Sequence, residues 1–266
     1  MSRTISLWRS REISVHRFDH PAEHEDRPYE EVAGAFMASF VEAGAFNLDI
    51  GEGRWRVKTG DVMLHHPGMR FRAGFDEGGF NDTCLSVVYL SAEDDGFDTR
   101  KSWRSDQRRV LNDSNRVRFL RWGIDRAMRT NEPMLAEYCA AELFRPHDDE
   151  NRSLYRERKL DWYAERVHAA RARLDARFDE AHTISDLARD VGMSAFHFAR
   201  IFSELVGAPP HRYLAERRLA AARAMIEEGA GVTETCYACG FNNLSHFTRS
   251  FARRFGAPPS RIAAAG

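Results

Sequence analysis

From Thr183 onward the apolar positions recur at helical spacing. Ile184, Leu187, Ala188 and Val191 fall at i, i+3, i+4 and i+7. They follow Thr183-Ile-Ser-Asp186, which has the spacing of a capping box. Gly192-Met193 interrupts the pattern, Ser194 is placed to cap a second helix, and Phe198, Ile201, Phe202 and Leu205 carry its apolar face until Gly207 stops it before Pro209-Pro210. Helix, short glycine turn, helix is the signature of a helix-turn-helix.

The same pattern recurs further on. Phe198-x-Arg200-x-Phe202 with Gly207-Ala-Pro209-Pro210-x-Arg212 returns 49 residues later as Phe247-x-Arg249-x-Phe251 with Gly256-Ala-Pro258-Pro259-x-Arg261. The C-terminal region therefore holds two copies of one unit. In the second copy Val232 to Gly240 supplies the leading helix, and Asn243 to Phe255 carries Leu244, Phe247, Phe251 and Phe255 on one face. Between the copies, Tyr213 to Ile226 predicts one longer helix, with Ala215, Leu219, Ala222 and Ile226 on a single face. Two second helices held about one turn of B-DNA apart, roughly 34 Å, could enter successive major grooves.

These residues carry a family resemblance. The elements Leu187-Ala188, Gly192-Met193-Ser194, Phe198-x-Arg200-x-Phe202, Arg218-x-x-x-Ala222, Gly240-Phe241, His246-Phe247-x-Arg249-x-Phe251 and Phe255-Gly256-x-x-Pro259 resemble the DNA-binding domain of the AraC/XylS transcriptional regulators over Ile184 to Ile262. The resemblance implies a bacterial regulator, typically an activator, that binds double-stranded promoter or operator DNA and works on RNA polymerase. By position it implies base-facing residues Ala195, Phe196, Ala199 and Arg200 in the first unit, and Asn243, Leu244, Ser245, Thr248 and Arg249 in the second. Arg can pair bidentately with guanine, Asn with adenine, and Thr or an apolar side chain can touch the thymine methyl. Arg200 is the foremost candidate for reading sequence, whereas Arg249 could equally grip phosphate. Thr235-Cys236 stands where the family places an Ile-Ala pair, a polar and a soft residue at core-facing positions, so a looser second unit is expected.

Upstream, the texture changes to short segments that alternate or run apolar: Ile13–Phe18, Ala45–Ile50, Trp55–Val57, Val62–His65 and Leu85–Leu90, separated by Gly, Asp, Asn and Pro turns. A small β-sandwich or barrel is expected over residues 1–100. Gly60-Asp61-Val62-Met-Leu-His-His-Pro67-Gly68 resembles the strand-turn segment of the cupin-like sensor domains that precede many such regulators. That implies a small-molecule effector, of a class the sequence does not identify, with Phe46, Trp55, His65, His66, Phe71, Cys84 and Tyr89 as candidate lining. Each of these also fits plain core. Cys84 would suit a redox sensor only with a depressed thiol pKa.

Helical spacing returns with Val117, Leu120, Ile124 and Met128, then over Leu135 to Phe144 and Leu154 to Phe178. Residues 101–174 are expected to form a helical packing region, which the resemblance implies mediates homodimerisation. Residues 145–151 read as a loop and 174–182 as the linker to a DNA-binding domain over 175–266. Residues 100–130 hold ten Lys and Arg against Asp106, Asp113 and Asp125, a run that reads as a solvated face. The expected fold class is multidomain α+β: a cupin-like barrel with dimerisation helices, then an all-α domain of two helix-turn-helix units joined by a linker helix.

Composition narrows the alternatives. With 266 residues, 43% hydrophobic and 30% charged, two cores can be buried and wholesale disorder is excluded. The net charge of −1 argues against a uniformly basic protein, yet residues 205–266 carry eight arginines against four glutamates. No apolar run is long enough for a membrane-spanning helix, and the N-terminus lacks the apolar core of a secretory signal, so a cytoplasmic protein is expected. Cys236-Tyr-Ala-Cys239 lacks the second Cys/His pair of a zinc site and reads as helix packing, like a reduced Cys139. A cupin-type metal enzyme remains an alternative, but adjacent His65 and His66 would point to opposite faces of a strand. A constitutive architectural DNA-binding protein is another. The favoured reading has no cofactor, no metal and no catalytic residue.

Overall fold

The computed structural model describes residues 3–19, 30–51, 53–74, 82–90, 109–145 and 153–263. The chain divides into two units, Met1–Arg156 and Glu157–Gly266.

Among the described residues the first unit contains ten strands: β1 (Arg3–Arg9), β2 (Ile13–Asp19), β3 (Glu30–Val32), β4 (Met37–Ala43), β5 (Ala45–Ile50), β6 (Gly53–Lys58), β7 (Val62–His65), β8 (Arg70–Gly74), β9 (Thr83–Tyr89) and β10 (Val110–Leu111). They pair into a six-stranded sheet, β1-β2-β9-β4-β7-β10, and a four-stranded sheet, β3-β8-β5-β6. All pairings are antiparallel. The five segments picked out by alternation appear as β2, β5, β6, β7 and β9. Strand β4 escapes that pattern because Ala38, Ser39, Phe40 and Val41 are all buried, so both its faces are covered and the period of two disappears.

The two sheets share a core of Val41, Met63, Cys84 and Val110 from one and Phe46, Leu48 and Val57 from the other. Gly60, at φ +95°, turns the chain into β7. That turn buries the Asp61 carboxylate, which accepts from the backbone N–H of Lys58 and of Asp113, both at 3.0 Å.

Helices α1 (Asn115–Thr130) and α2 (Pro133–Leu143) cover the outer face of the six-stranded sheet. The Arg121 guanidinium lies 5.6 Å over the Phe40 ring and donates to Glu42 at 2.7 Å. Phe144 packs between Phe36 and Tyr89, with ring centroids 6.1 and 5.7 Å away. The described part of the cationic run is therefore not simply a solvated face. Arg116 is buried against Glu142, and Arg118 forks onto Asp113 at 2.7 and 2.6 Å. An amphipathic helix lying on a sheet brings its border arginines to the seam, where they meet carboxylates. Residues 100–108 of the run lie outside the described residues, as does the expected loop beyond Arg145.

The second unit opens with α3 (Glu157–Ala176), followed by α4 (Ile184–Asp190), α5 (Ala195–Val206), α6 (Pro210–Glu227), α7 (Val232–Ala238), α8 (Leu244–Phe255) and α9 (Pro259–Ala263). The sequence groups α3 with the helices before it. The structure places it with those after it, because its buried face of Leu160, Tyr163, Val167 and Leu174 packs on α4, α5 and α6. The expected linker over 174–182 is likewise tied down. Arg218 of α6 donates to the Phe178 and Glu180 carbonyls at 2.7 Å each. Gly240, at φ +76°, sits so close to the same segment that a Cβ there would stand 2.4 Å from the Asp179 carbonyl oxygen. No helix among the described residues is long and apolar enough to cross a bilayer.

Candidate nucleic-acid interface

The repeat seen in the sequence is repeated in the backbone. Ser194 caps α5 by accepting from the His197 N–H, and Asn243 caps α8 by accepting from the His246 N–H. Gly207 and Gly256 end these helices at φ +82° and +76°, each N–H returning to the carbonyl four residues back. In the turns, Met193 N–H donates to the Ala188 carbonyl and Phe241 N–H to that of Cys236. These turn bonds match at a spacing of 48 residues and the caps at 49, because the second turn holds one extra residue.

Phenylalanines anchor both second helices. Phe198 and Phe202 in α5, and Phe247 and Phe251 in α8, are completely buried. The opposite faces hold the candidate reading residues. Phe196 is 82% exposed, a large apolar ring in the first turn of α5 with no core to fill. Arg200 is exposed, with Glu204 one turn on at 3.7 Å. Ala195 and Ala199 are half-buried beside them. On α8, Ser245 and Arg249 are exposed and Thr248 is half-buried. Two of the nine sit differently from a free reading position: Asn243 uses its side-chain oxygen as the cap, and Leu244 packs against the core of the second copy. A residue whose role the sequence does not reveal is His197, whose Nε2 meets the Tyr163 hydroxyl of α3 at 2.9 Å and steadies the start of α5.

Thr235 and Cys236 are both fully buried. The Thr235 hydroxyl has no hydrogen-bond partner among the described residues, a local cost that an apolar residue would not carry. Cys236 and Cys239 belong to the core with Leu219, Ile226 and Phe247, and burial pushes both thiols up, as packing residues require.

The first unit sorts its candidates by face. Phe46 and Cys84 belong to the shared core, Trp55 and Phe71 pack against it, and His65 touches Phe71 with ring centroids 4.8 Å apart. His66 turns the other way, its ring bonded to the Pro67 carbonyl. Tyr89 lies on the outer face of β9 against Phe144, so it does not join the inner set. The thiol of Cys84 is raised by burial and by Asp82, the reverse of what a redox sensor needs.

Strand register also reveals inner-face residues that sequence reasoning missed. Val41 and Cys84 are paired neighbours at the apolar end. Two and four residues further along, the same faces carry Ser39 opposite Ser86, His16 opposite Ser86, and His65 opposite Met37. Ser39 and Ser86 bond at 2.9 Å and His16 bonds Ser14 at 2.8 Å. The apolar core thus gives way to a polar half within one sandwich. No local pattern shows this, since only the pairing of β2, β9, β4 and β7 puts these residues side by side.

His65 is 1% exposed, and its Nδ1 has no hydrogen-bond partner among the described residues. Burial lowers its pKa from 6.5 to about 4, against the opposing hydrogen bond to the Met37 backbone. Above pH 6.5 the ring is neutral folded or unfolded. Between pH 6.5 and 4 the unfolded chain takes up a proton that the folded one refuses, so stability falls with pH, by roughly 2 kcal/mol from pH 7 to 5. Urea melts of the full chain across that range check this, and His65→Gln is expected to flatten the dependence.

Comparison with known proteins bears on the second unit. Residues 187–265 match a family model described as a helix-turn-helix domain. An HTH-type transcriptional regulator of Mycobacterium tuberculosis is 44% identical over 62 residues, covering 23% of this chain and 24% of that protein. An uncharacterized HTH-type transcriptional regulator of Bacillus subtilis is 30% identical over 73 residues, 27% of this chain and 26% of that one. The chain thus spans about a quarter of the length of these curated relatives. A solved structure of a transcriptional regulator with an AraC-type DNA-binding domain, from Chromobacterium violaceum, is 27% identical and covers 38% of this chain and 90% of that one, with a TM-score of 0.36.

Proposed function

We propose that the protein, whose residues 187–265 match a helix-turn-helix family model, is a sequence-specific DNA-binding regulator of transcription of the AraC type that addresses promoter DNA with two second helices from one chain. The observation that carries this reading is the duplication itself. Two helices with matching caps, matching stops and matching phenylalanine anchors each present an exposed arginine at the same position, Arg200 and Arg249. A protein that only neutralised phosphate would need neither the duplication nor an exposed Phe196.

The test is selection of genomic DNA fragments by the purified full-length protein at near-physiological salt. One extended motif with two boxes about a helical turn apart supports the reading, and no enrichment of any sequence refutes it. Arg200→Ala is expected to weaken the selected site by about 1–3 kcal/mol and to relax preference at one base position. Equal weakening on all sequences would make Arg200 a phosphate contact instead.

The first unit is, in this reading, the sensor. The polar half of its sandwich gives the effector a chemistry: with the His65 ring neutral and donating to the Met37 carbonyl, its buried Nδ1 is an acceptor. On this reading the effector is a small uncharged molecule bearing an O–H or N–H donor, since a carboxylate would meet an acceptor with an acceptor. The effector must favour one arrangement of the regulator over another, so equal affinity for free and DNA-bound protein would refute its regulatory role.

A further inference from the structure

Helix α3 has two edges of opposite charge. With 3.6 residues per turn, its buried face of Leu160, Tyr163, Val167 and Leu174 is bordered on one side by Lys159, Trp162, Arg166 and Arg173 and on the other by Glu157, Asp161 and Asp175. The contacts show where each edge faces. Asp175 accepts from the Tyr213 hydroxyl at 2.8 Å, so the acidic edge borders α6. Arg173 pairs with Asp190 at the end of α4, and Tyr163 bonds His197 in the first turn of α5, so the basic edge borders the first helix-turn-helix.

We propose that this basic edge, Lys159, Trp162 and Arg166, is a third DNA-contacting element that grips the phosphate backbone beside α5. The inference rests on the DNA-binding reading above. His197 adjoins Phe196, so the edge begins next to the end of α5 that has to enter the groove. The Arg166 guanidinium is stacked 3.5 Å from the centre of the Trp162 ring, and one of its terminal nitrogens donates to the Trp162 carbonyl at 3.2 Å. A guanidinium held over an indole and bonded to its backbone carbonyl is pre-organised, losing little freedom when its outer N–H groups meet a phosphate. Trp162 is itself 42% exposed, an aromatic surface that a bound backbone would cover. The Lys159 ammonium lies 5.6 Å over the Tyr163 ring, on the residue that holds α5. An acidic protein surface would offer similar charge, but only DNA must lie next to α5 for the protein to act.

The experiment measures binding of the full-length protein to its selected duplex and to a mixed-sequence duplex as salt is raised. For Lys159→Gln with Arg166→Gln, the slope of log affinity against log salt is expected to become shallower by about 0.9 for each phosphate no longer neutralised, with affinity falling by a similar factor on both duplexes. Lys159→Gln alone, a change at one exposed side chain, is expected to give about half the slope change and serves if the double variant does not fold. Unchanged slopes in variants with wild-type melting curves overturn the inference. So does loss of transcriptional control with DNA affinity intact, which would assign the edge to a protein partner. If the wild-type protein binds no DNA, the functional reading fails first and the two failures are distinct.

Discussion

Alanine at Phe251 is expected to destabilise the second unit by about 3–5 kcal/mol and to abolish the proposed DNA binding near physiological temperature. Phe251 is fully buried, with the rings of Phe247 and Phe255 at 5.6 and 4.6 Å, and it joins α8 to Leu219, Ala222 and Ile226 of α6. Removing the ring leaves a cavity that the rigid helix pair cannot close. Since a domain has only about 5–15 kcal/mol of stability, most of the margin disappears. Phe202→Ala is expected to act alike in the first copy, whereas Phe255→Ala, at a half-buried position, should cost clearly less. Denaturant melts of the full chain measure all three, and a loss below about 1 kcal/mol for Phe251→Ala would show that α8 is not anchored there.

Glu142→Ala is expected to cost the first unit a comparable amount, about 3–5 kcal/mol. The Arg116–Glu142 pair, 2.7 Å apart, has side chains only 7% and 6% exposed, and the second carboxylate oxygen takes Arg145 at 2.7 Å. The alanine deprives a buried guanidinium of its carboxylate while leaving its charge in place. Replacing both partners, Arg116→Met with Glu142→Leu, is expected to recover the loss, because a well-packed apolar pair avoids desolvating two ions. A double-mutant cycle on the melts of the full chain tests this. Additive losses would show that the pair is not coupled.

The second unit was legible in the sequence because its elements are local. Caps lie three residues before the backbone N–H groups that donate to them, glycine stops are required by positive φ, and apolar faces follow a fixed period, so Ser194, Gly207, Phe198 and Phe202 could be placed from sequence alone. The inner face of the first unit was not. His16, Ser39 and Ser86 come from strands far apart in the chain, and they become neighbours only through pairing register, which no window of sequence contains. Tyr89 and Cys84 illustrate the same limit, since both lie on β9 yet serve opposite faces.

What the sequence by itself determined is the duplicated helix-turn-helix, its anchors and the identity of its exposed arginines, all set by periodicity and turn chemistry over a few residues. Tertiary structure alone decided that α3 belongs with the helix-turn-helix helices, that Arg218 and Gly240 clamp the segment expected to be a linker, and that the sandwich is apolar at one end and polar at the other. Those features depend on which surfaces meet. Burial, unlike helix or strand period, is a property of the assembled chain.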